Sequence, residues 1–321
     1  MSAPLVRRIY RRAYWFPRDL VALTRAHWPQ HIIYFGGKGF GDDLLLGAVA
    51  MELHRRGLKR VAVITRLGEI FENFPSPLTI LDERNWGTLE AQLRFGRRAA
   101  KAEYYRGFKE PDQDIWGPYH LIGEMCYRVG IRGSVELRPY FFLSPEERKA
   151  GRLVDNQAVI QCTDETSRSP NHLKFWIRER HQDVVDQNRH RLNFVQLGGA
   201  GDPPLRGVLD LRGRTSIRQT AAVLAESRLM IGYVGFQMHL ARAVECPGVI
   251  IYGGREHPAQ TGYCCNENLY TALPCAPCWH RNNCDLGHEC MQRITAADVT
   301  ESVSRILSRP RSPLATESQE V

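Results

Sequence analysis

The sequence contains no run of about 18 uncharged apolar residues, which is the length that a helix needs to cross a bilayer. The first residues are basic, but they lack the apolar stretch and the small-residue cleavage site of a secretory signal. Zinc-finger, RRM-like and recognition-helix patterns are missing as well, so the net charge of +8 does not indicate a nucleic-acid-binding protein. We therefore expect a soluble protein of the cytoplasm.

The composition is that of an ordinary globular protein, with 43% hydrophobic and 24% charged residues in a chain of 321 residues. This length suits two domains, each with its own core, better than it suits one. We place the boundary near Val154, which gives domains at residues 29–153 and 154–309. Residues 310–321 are polar and rich in Pro, Ser and Glu, so we predict a disordered tail there.

Residues 1–28 form a basic and aromatic arm whose single acidic residue is Asp19. This pattern suits a helix that lies against an anionic partner or against anionic lipid headgroups, and lipid contact would make the protein peripheral to the inner membrane. A solvated arm, or a helix docked on the protein's own surface, would give the same pattern. The arginine and aromatic residues of the arm are Arg7, Arg8, Tyr10, Arg11, Arg12, Tyr14, Trp15, Phe16, Arg18, Arg25 and Trp28.

Apolar runs of strand length alternate with helical patterns along the rest of the chain. Short buried strands separated by helices are typical of βα units around a parallel sheet, and the pattern restarts after Val154. It therefore predicts an α/β fold with two Rossmann-like domains and a cleft between them. The predicted strands are His31–Phe35, Val61–Thr65, Leu78–Leu81, Ala158–Cys162, Asn193–Leu197, Leu229–Gly232 and Gly248–Tyr252. The predicted helices are Asp42–Arg56, Trp86–Lys101, His120–Val129, Phe175–Gln187, Ile217–Ser227 and Met238–Val244.

The loop Gly36-Gly37-Lys38-Gly39-Phe40-Gly41-Asp42-Asp43 follows the first predicted strand, where a dinucleotide fingerprint would lie. Two carboxylates at the start of the next helix would repel a pyrophosphate. The next strand ends in Thr65-Arg66 and not in the ribose-binding acid expected about 20 residues further on, so a dehydrogenase is disfavoured. The loop fits a general base, Asp42, beside glycines that let a hydroxyl approach. Helix capping by both acids is the alternative.

Four segments of the chain resemble the heptosyltransferases of glycosyltransferase family 9, and the resemblance spans roughly residues 31–300. One of them, Val208–Ser216, is similar to the family's Asp-Leu-x-Gly-x-Thr-Ser segment and fits a helix N-cap, so we assign no chemistry to it. Gly-Phe-Gly-Asp42 followed by three leucines is similar to the family's first glycine loop. Lys174-Phe175-Trp176 is similar to its Lys-x-Trp segment. The segment Gly232–Ala241 is similar to its loop ending in Met-His-Leu-Ala.

This resemblance implies a GT-B fold and inverting transfer of a sugar to a hydroxyl, with no metal ion in catalysis. The donor would be a nucleotide sugar, ADP-heptose in the first place. The family's catalytic base falls on Asp42, with Asp43 adjacent to it. Lys174 would neutralise the diphosphate of the donor and stabilise the charge that builds up on it as it leaves.

The resemblance also implies a donor-binding loop in the second domain. Backbone N–H groups at Gly235, Phe236 and Gln237 would receive the diphosphate at a helix N-terminus. His239 follows one turn later, either as a donor contact or as a buried hydrogen-bonding residue. Val234 stands where the family usually has an aspartate, so the donor sugar stays open.

Asp202 follows a predicted strand that ends in Gly198-Gly199, and its position is loosely similar to that of the family's nucleoside contact. The acceptor stays open between the lipopolysaccharide core, a protein side chain and a small molecule, any of which a basic first domain would suit. The alternative to an enzyme is a degenerate member that only binds sugar nucleotides or acts as a scaffold.

Cys275, Cys278, Cys284 and Cys290, four of the nine cysteines, lie in one short segment. A Cys-x-x-Cys followed by two further thiols can surround one tetrahedral zinc or iron ion, and His280 and His288 are nearby additional ligands. Disulfides and free thiols are the alternatives, although a reducing cytosol disfavours disulfides. The resemblance favours a metal, because related autotransporter heptosyltransferases hold iron. We expect such a site to be structural.

Overall fold

The computed structural model describes residues 21, 29–36, 39–84, 99–110, 112–164, 172–310 and 313–321. The predicted basic arm, apart from Val21, and most of the predicted helix Trp86–Lys101 lie outside these residues. In the described part of the chain, no helix has the length and apolar character needed to cross a membrane.

The first half of the chain forms a four-stranded parallel sheet, which the predicted strands correctly anticipated except at one edge. Its order is β3 (Leu78–Asp82), β2 (Val61–Thr65), β1 (His31–Tyr34) and β4 (Ala99–Lys101). Residues 99–101 were predicted to end a helix, and this prediction is wrong. They pair with β1 at Ile32–Tyr34, because hydrogen bonding to an open strand outweighs the helical preference of Ala and Lys, which tertiary contacts readily override.

The first lobe is the name used here for the first sheet with the helices and short strands that accompany it, and its predicted helices Asp42–Arg56 and His120–Val129 are confirmed. Helix α1 (Phe40–Arg55) starts after Gly39 with two acids in its first turn and ends with basic residues, which suits its dipole. A 3₁₀ turn at Gly68–Phe71, helix α2 (Leu121–Arg128) and helix α3 (Pro145–Ala150) follow. The hairpin of β5 (Tyr105–Glu110) and β6 (Gln113–Trp116) was not predicted.

The second half of the chain forms a six-stranded parallel sheet, and this sheet with its helices is the second lobe. Its strands in spatial order are β10 (Leu209–Asp210), β9 (Asn193–Gln196), β8 (Gln157–Ile160), β11 (Met230–Tyr233), β12 (Gly248–Gly253) and β13 (Glu267–Tyr270). Its helices are α4 (Arg178–Asn188), α5 (Ile217–Ala225), α6 (Phe236–Ala243), α7 (Pro258–Thr261), α8 (Glu289–Gln292) and α9 (Ala296–Ser308). The predicted helix Phe175–Gln187 begins later, at Arg178, after a 3₁₀ turn at His172–Lys174.

The strand order determines where a ligand site can form. In the first sheet, β1 is flanked by β2 and β4, and in the second sheet β8 is flanked by β9 and β11. The order therefore reverses beside β1 and beside β8. At such switch points the loops at the carboxyl ends of neighbouring strands diverge and leave a crevice, which is where open α/β sheets bind ligands.

The carboxyl-terminal segment is ordered, so the prediction of a disordered tail is wrong for its described part. Strand β14 (Ser318–Glu320) pairs antiparallel with β7 (Ser134–Glu136) of the first lobe. Arg242, which is 1% exposed, donates to Thr316 Oγ1 at 2.5 Å. The polar composition of the tail did not indicate β14, because the backbone hydrogen bonds that pair two strands do not require apolar side chains.

Arg218 on α5 joins the two lobes at a buried point. It donates to the carbonyl oxygens of Glu69 at 2.8 Å and Phe142 at 2.9 Å, and to Glu147 Oε2 at 2.6 Å. Only 11% of its side chain is exposed. Since its partners include backbone of the first lobe, Arg218 fixes how α5 sits against that lobe.

We expect Arg218→Met to lower the free energy of unfolding by about 3 kcal/mol, because it removes several charge-assisted hydrogen bonds. Arg148→Met is the matched control, since Arg148 pairs with Glu226 but is 52% exposed. Such an exposed pair contributes about 0.5 kcal/mol or less. Urea unfolding measures both, and equal losses in the two variants would contradict the role given to Arg218.

Candidate active site between the two sheets

A cavity of about 620 Å³ lies where the two switch points face each other. Its walls come from the loops after β1, β4, β6, β11 and β12 and from the 3₁₀ turn before α4. Both lobes therefore contribute to one space. The polar and glycine residues that line it include Gly39, Gly41, Asp42, Tyr104, Tyr105, Lys174, Gly235, His239, Arg255, Glu256 and Arg281.

Asp42 lies in the first turn of α1 and lines this cavity. The Tyr104 hydroxyl donates to its Oδ1 at 2.5 Å, and the backbone of Gly39 also hydrogen-bonds its carboxylate. A Cβ at position 39 would lie 2.6 Å from Oδ2, so a side chain there would displace this carboxylate. Burial raises the pKa of Asp42, while Tyr104, Gly39 and Lys174 act against that rise.

Asp43 is placed differently, although it is adjacent in sequence. It is 7% exposed, does not line the cavity, and accepts a hydrogen bond from Thr65 Oγ1 at 2.8 Å. Burial raises its pKa to about 6, and the carboxylates of Glu83 and Asp42 add to the rise. Asp43 therefore joins α1 to the end of β2, and only Asp42 faces the cavity.

Lys174 lies on the opposite wall, within a chain of alternating charges. It pairs with Glu256 at 2.6 Å, Glu256 also pairs with Arg255, and Arg255 reaches Asp114 at 2.8 Å. Arg281 then pairs with Asp114 at 2.6 Å. Three cations and two carboxylates leave one net positive charge beside the cavity.

Pairing acts against the effect of burial on the pKa values of Lys174 and Glu256. Burial lowers the pKa of Lys174, and Glu256 acts against this. Burial also opposes ionisation of Glu256, but Lys174 and Arg255 outweigh it and hold the pKa of Glu256 below its ordinary value. Removing one partner would leave an uncompensated charge in the cleft wall.

The start of α6 meets the start of α1 at this cavity. Gly235 is the N-cap of α6, and Phe236 packs edge-to-face on Phe40 with ring centroids 5.6 Å apart. A Cβ at Gly41 would lie 3.5 Å from His239 Cδ2, so the two helices approach closely. The N–H groups of both helix ends are thus directed at the same space.

His239 lies in this helix as a buried, uncharged ring. Its Nδ1 is 2.6 Å from the Tyr263 hydroxyl, and the residue is 6% exposed. Burial lowers its pKa to about 3, and His120 and Lys174 contribute to the shift. At neutral pH the ring is therefore a hydrogen-bonding group of the cavity wall.

A second cavity of about 370 Å³ adjoins the first and shares Phe40, Tyr233 and Phe236 with it. Asp202 and Gln237 line it together with Gly198, Gly199, Gln161, Thr215 and Thr220. Asp202 Oδ2 accepts the Gly199 N–H at 2.8 Å, and so fixes the loop after β9. The Oε1 atom of Gln237 is buried without a partner among the described residues.

The sequence-predicted residues therefore lie around two adjoining cavities. Asp42, Lys174, Gly235, Phe236 and His239 line the larger one, and Asp202, Gln237 and again Phe236 line the smaller one. Val234, in place of an acid, is 1% exposed and forms an apolar part of the larger wall.

Sequence reasoning missed Tyr104, Arg255, Glu256 and Arg281, which also line the larger cavity. Arg255 and Glu256 had a detectable signal, because adjacent charged residues directly follow the glycine-ended strand β12. No sequence signal indicated Tyr104, because the segment before it was predicted to be helical. Arg281 lies in the cysteine-rich segment, where only metal ligands were sought.

The four cysteines Cys275, Cys278, Cys284 and Cys290 line a third cavity, of about 390 Å³, together with His280 and His288. Burial raises the pKa of the Cys278 and Cys290 thiols. Over the described ranges, no group of three or more His, Cys, Asp or Glu side chains is arranged to hold a metal ion. The thiols share one space without forming a closed ligand set.

No family model matches the sequence, and no curated protein matches it. Solved structures share its fold. A glycosyltransferase family 9 protein of Veillonella parvula is 16% identical, with a TM-score of 0.65 over 87% of this chain and 97% of that chain. TibC, an iron-containing dodecameric glycosyltransferase of enterotoxigenic E. coli, is 17% identical, with a TM-score of 0.66 over 87% of this chain and 76% of its own.

A third similar structure is the E. coli ADP-heptose lipopolysaccharide heptosyltransferase II, which is 15% identical. Its TM-score is 0.61, over 86% of this chain and 98% of that chain. At these identities the likeness shows the fold. The GT-B fold and the structural resemblance to glycosyltransferase family 9, both predicted from the sequence, are confirmed.

We expect Asp43→Asn to raise the free energy of unfolding by about 3 kcal/mol at pH 8, because its pKa of about 6 lies about two pKa units above the ordinary value for aspartate and one pKa unit corresponds to about 1.4 kcal/mol. The pKa of Asp43 is raised in the folded protein, so its ionised form destabilises the fold above pH 6, and this cost disappears as the pH falls towards 4. The extra free energy of unfolding of Asp43→Asn should disappear over the same pH range. Asp155→Asn is the control, since that side chain is 85% exposed. Urea unfolding at several pH values measures both, and a destabilised Asp43→Asn at pH 8 would contradict the assignment.

Proposed function

We propose that this chain is an inverting glycosyltransferase of the family 9 type, which transfers a sugar from a nucleotide-sugar donor to a hydroxyl. One observation carries the proposal: Asp42 faces Lys174 and the start of α6 across one cavity, and a smaller cavity adjoins that space. A base on one wall and positive groups on the other are what sugar transfer requires. The fold shared with glycosyltransferases supports the same conclusion.

The donor would lie along the second lobe. The smaller cavity suits the nucleoside, with the Gln237 amide oxygen free to accept from a base or ribose. The diphosphate would lie at the N-terminus of α6, near Lys174, where backbone N–H groups and a cation stabilise negative charge. These groups supply the charge compensation, so we expect transfer without added divalent cation.

In the proposed reaction Asp42 takes the proton of the acceptor hydroxyl while its oxygen attacks the anomeric carbon. The bond from that carbon to the diphosphate oxygen breaks, and its electron pair leaves with the diphosphate. Lys174 stabilises this developing charge. Attack from the side opposite the leaving group inverts the anomeric centre, and one base suffices for it.

The acceptor would lie against Tyr105, Trp116 and Leu121 of the first lobe, which line the larger cavity. Trp116 Nε1 and Arg255 Nε are buried donors without a partner among the residues that the structure describes. An acceptor with several hydroxyl oxygens would satisfy them. We propose ADP-heptose as the first donor to test, since heptosyltransferase II acts on an ADP-heptose and shares the fold.

The function is tested by incubating the protein with a panel of nucleotide sugars and following transfer and donor hydrolysis by mass spectrometry. Calorimetry with ADP, other nucleoside diphosphates and NAD accompanies it. Turnover of one nucleotide sugar with release of its nucleoside diphosphate supports the proposal. Heat of binding without turnover of any donor would favour a non-catalytic sugar-nucleotide-binding protein, and preference for NAD would contradict both.

We expect Asp42→Asn to lower the transfer rate by about 10²–10⁴-fold, the usual contribution of a general base. Its Kd for the nucleoside diphosphate should stay within about twofold, because the diphosphate binds on the opposite wall. Asp43→Asn is the control and should retain transfer. Steady-state kinetics and calorimetry measure these quantities, and an Asp42→Asn protein with the wild-type rate would contradict the assignment.

We further propose that Cys275, Cys278, Cys284 and Cys290 hold a structural zinc or iron ion, since thiolates suit both metals and all four line one cavity. The described thiols must move closer to do so. Elemental analysis of the purified protein should then find about one zinc or iron per chain. Cys278→Ser should lose it, and Cys264→Ser, outside the segment, should keep it. Four titratable thiols and no metal would contradict the proposal.

A further inference from the structure

We propose that Tyr104 is the positioning residue of Asp42, and that an aromatic row ending in Trp279 of the second lobe fixes Tyr104 in place. The inference rests on the proposed role of Asp42 as the base. It adds to Asp42 a set of positioning residues that come from both lobes.

The carboxylate of Asp42 is held by two hydrogen bonds. Tyr104 donates to Oδ1 at 2.5 Å, and the backbone of Gly39 donates a second hydrogen bond to the carboxylate. A carboxylate has about four lone-pair sites, so sites remain for the acceptor proton. The two contacts thus select one orientation of the carboxylate without using up its basic positions.

Tyr104 is brought to Asp42 by the sheet. It follows β4, which lies beside β1 with parallel direction, so the segments after both strands emerge at the same edge. The main chain holds the segment there, since the N–H of Ala102 donates to the Tyr34 carbonyl at 2.8 Å. The position of the hydroxyl is therefore set by the first sheet itself.

The ring of Tyr104 has aromatic neighbours on several sides. Its centroid is 5.1 Å from Phe35, 4.5 Å from Tyr105 and 5.0 Å from Trp116. Trp116 in turn stacks on Trp279 at 4.3 Å, with the ring planes 12° apart. The row Trp279–Trp116–Tyr104 thus runs from the cysteine-rich segment of the second lobe to Asp42.

Trp279 is held in an unusual backbone conformation to make this contact. Its φ of 59° lies in the left-handed region, which a bulky residue adopts only when its surroundings enforce it. Its N–H donates to the Arg255 carbonyl at 3.0 Å, and its carbonyl accepts from the Asp114 N–H at 3.1 Å. Trp279 is thus anchored to both lobes, at β6 and after β12.

The hydroxyl of Tyr104 keeps its proton and donates it in the hydrogen bond to Asp42. Burial and the neighbouring carboxylate raise the pKa of Tyr104 well above its ordinary value, so the phenol keeps its proton. Its hydrogen bond opposes the effect of burial, which raises the pKa of Asp42. Losing the hydroxyl would therefore leave the base protonated up to a higher pH and free to rotate.

The catalytic part is tested with Tyr104→Phe by the pH profile of kcat/KM, with ADP-heptose or whichever nucleotide sugar of the panel the wild-type protein turns over. We expect the acidic limb of this pH profile to lie about one pH unit higher than in the wild type. We also expect kcat to fall by about tenfold or more, with the KM for the donor unchanged. Tyr140→Phe is the matched control, because Tyr140 is also 8% exposed and bonded, to Arg55, but lies outside the cavity. A Tyr104→Phe enzyme with the wild-type profile overturns the proposal.

Trp279→Leu tests the row, since Trp279 contacts neither Asp42 nor the larger cavity. We expect the acidic limb of the kcat/KM profile of Trp279→Leu to move to higher pH, as in Tyr104→Phe, but by a smaller amount. An unchanged profile would remove Trp279 from the proposal. A raised donor KM with an unmoved profile would assign it to donor binding and likewise overturn its positioning role.

The contact itself is tested without turnover, by a double-mutant cycle of Tyr104→Phe and Asp42→Asn in urea unfolding at pH 8. A charge-assisted hydrogen bond should make the effects on the unfolding constant non-additive by about tenfold. Additive effects overturn the inference. Non-additive effects in a protein that turns over no donor would instead retain the contact and reject the proposed function.

Discussion

The close approach of the N-termini of α1 and α6 is the constraint on which the site depends. The start of α1 lies against the start of α6, since a Cβ at Gly41 would be in van der Waals contact with His239, at 3.5 Å from its Cδ2. Each helix end carries about half a positive charge, so two such ends in one cleft create a place for negative charge. Asp42 supplies part of that charge within the fold. In the proposed reaction the diphosphate of the donor supplies the rest.

The alternating charges from Lys174 to Arg281 allow cations to be buried in the wall of the same cleft. Cations that are to stabilise a leaving group must be partly buried, and buried cations need partners. Glu256 and Asp114 provide them while leaving one net positive charge at the wall. Because Asp114 belongs to the β5–β6 hairpin and Arg281 to the cysteine-rich segment, the same pairs attach the two lobes to each other. Charge compensation and the geometry of the cleft thus depend on common residues.

The sequence predicted most of the strands and helices because parallel βα units carry strong local signals. Val61–Ile64 is an uninterrupted apolar run, and Gly248–Gly253 ends in glycine where the chain must turn. Glycine and aspartate next to such strands also indicated Asp42 and the loop at Gly235. These signals depend only on neighbouring residues, so they can be recognised without knowledge of the fold. They failed at β4 and at the tail, where pairing with a distant strand decides the conformation.

The sequence by itself determined the fold class and the residue types of the first loop, since hydrophobic periodicity and glycine positions act over a few residues. Only the tertiary structure distinguished Asp42 from Asp43, because a helix turns by about 100° per residue and only the packing of α1 decides which side chain faces the cleft. Only the tertiary structure brought Tyr104, Glu256 and Trp279 to the same site. Their positions depend on strand order and on contacts between residues far apart in the chain, and no local pattern records such contacts.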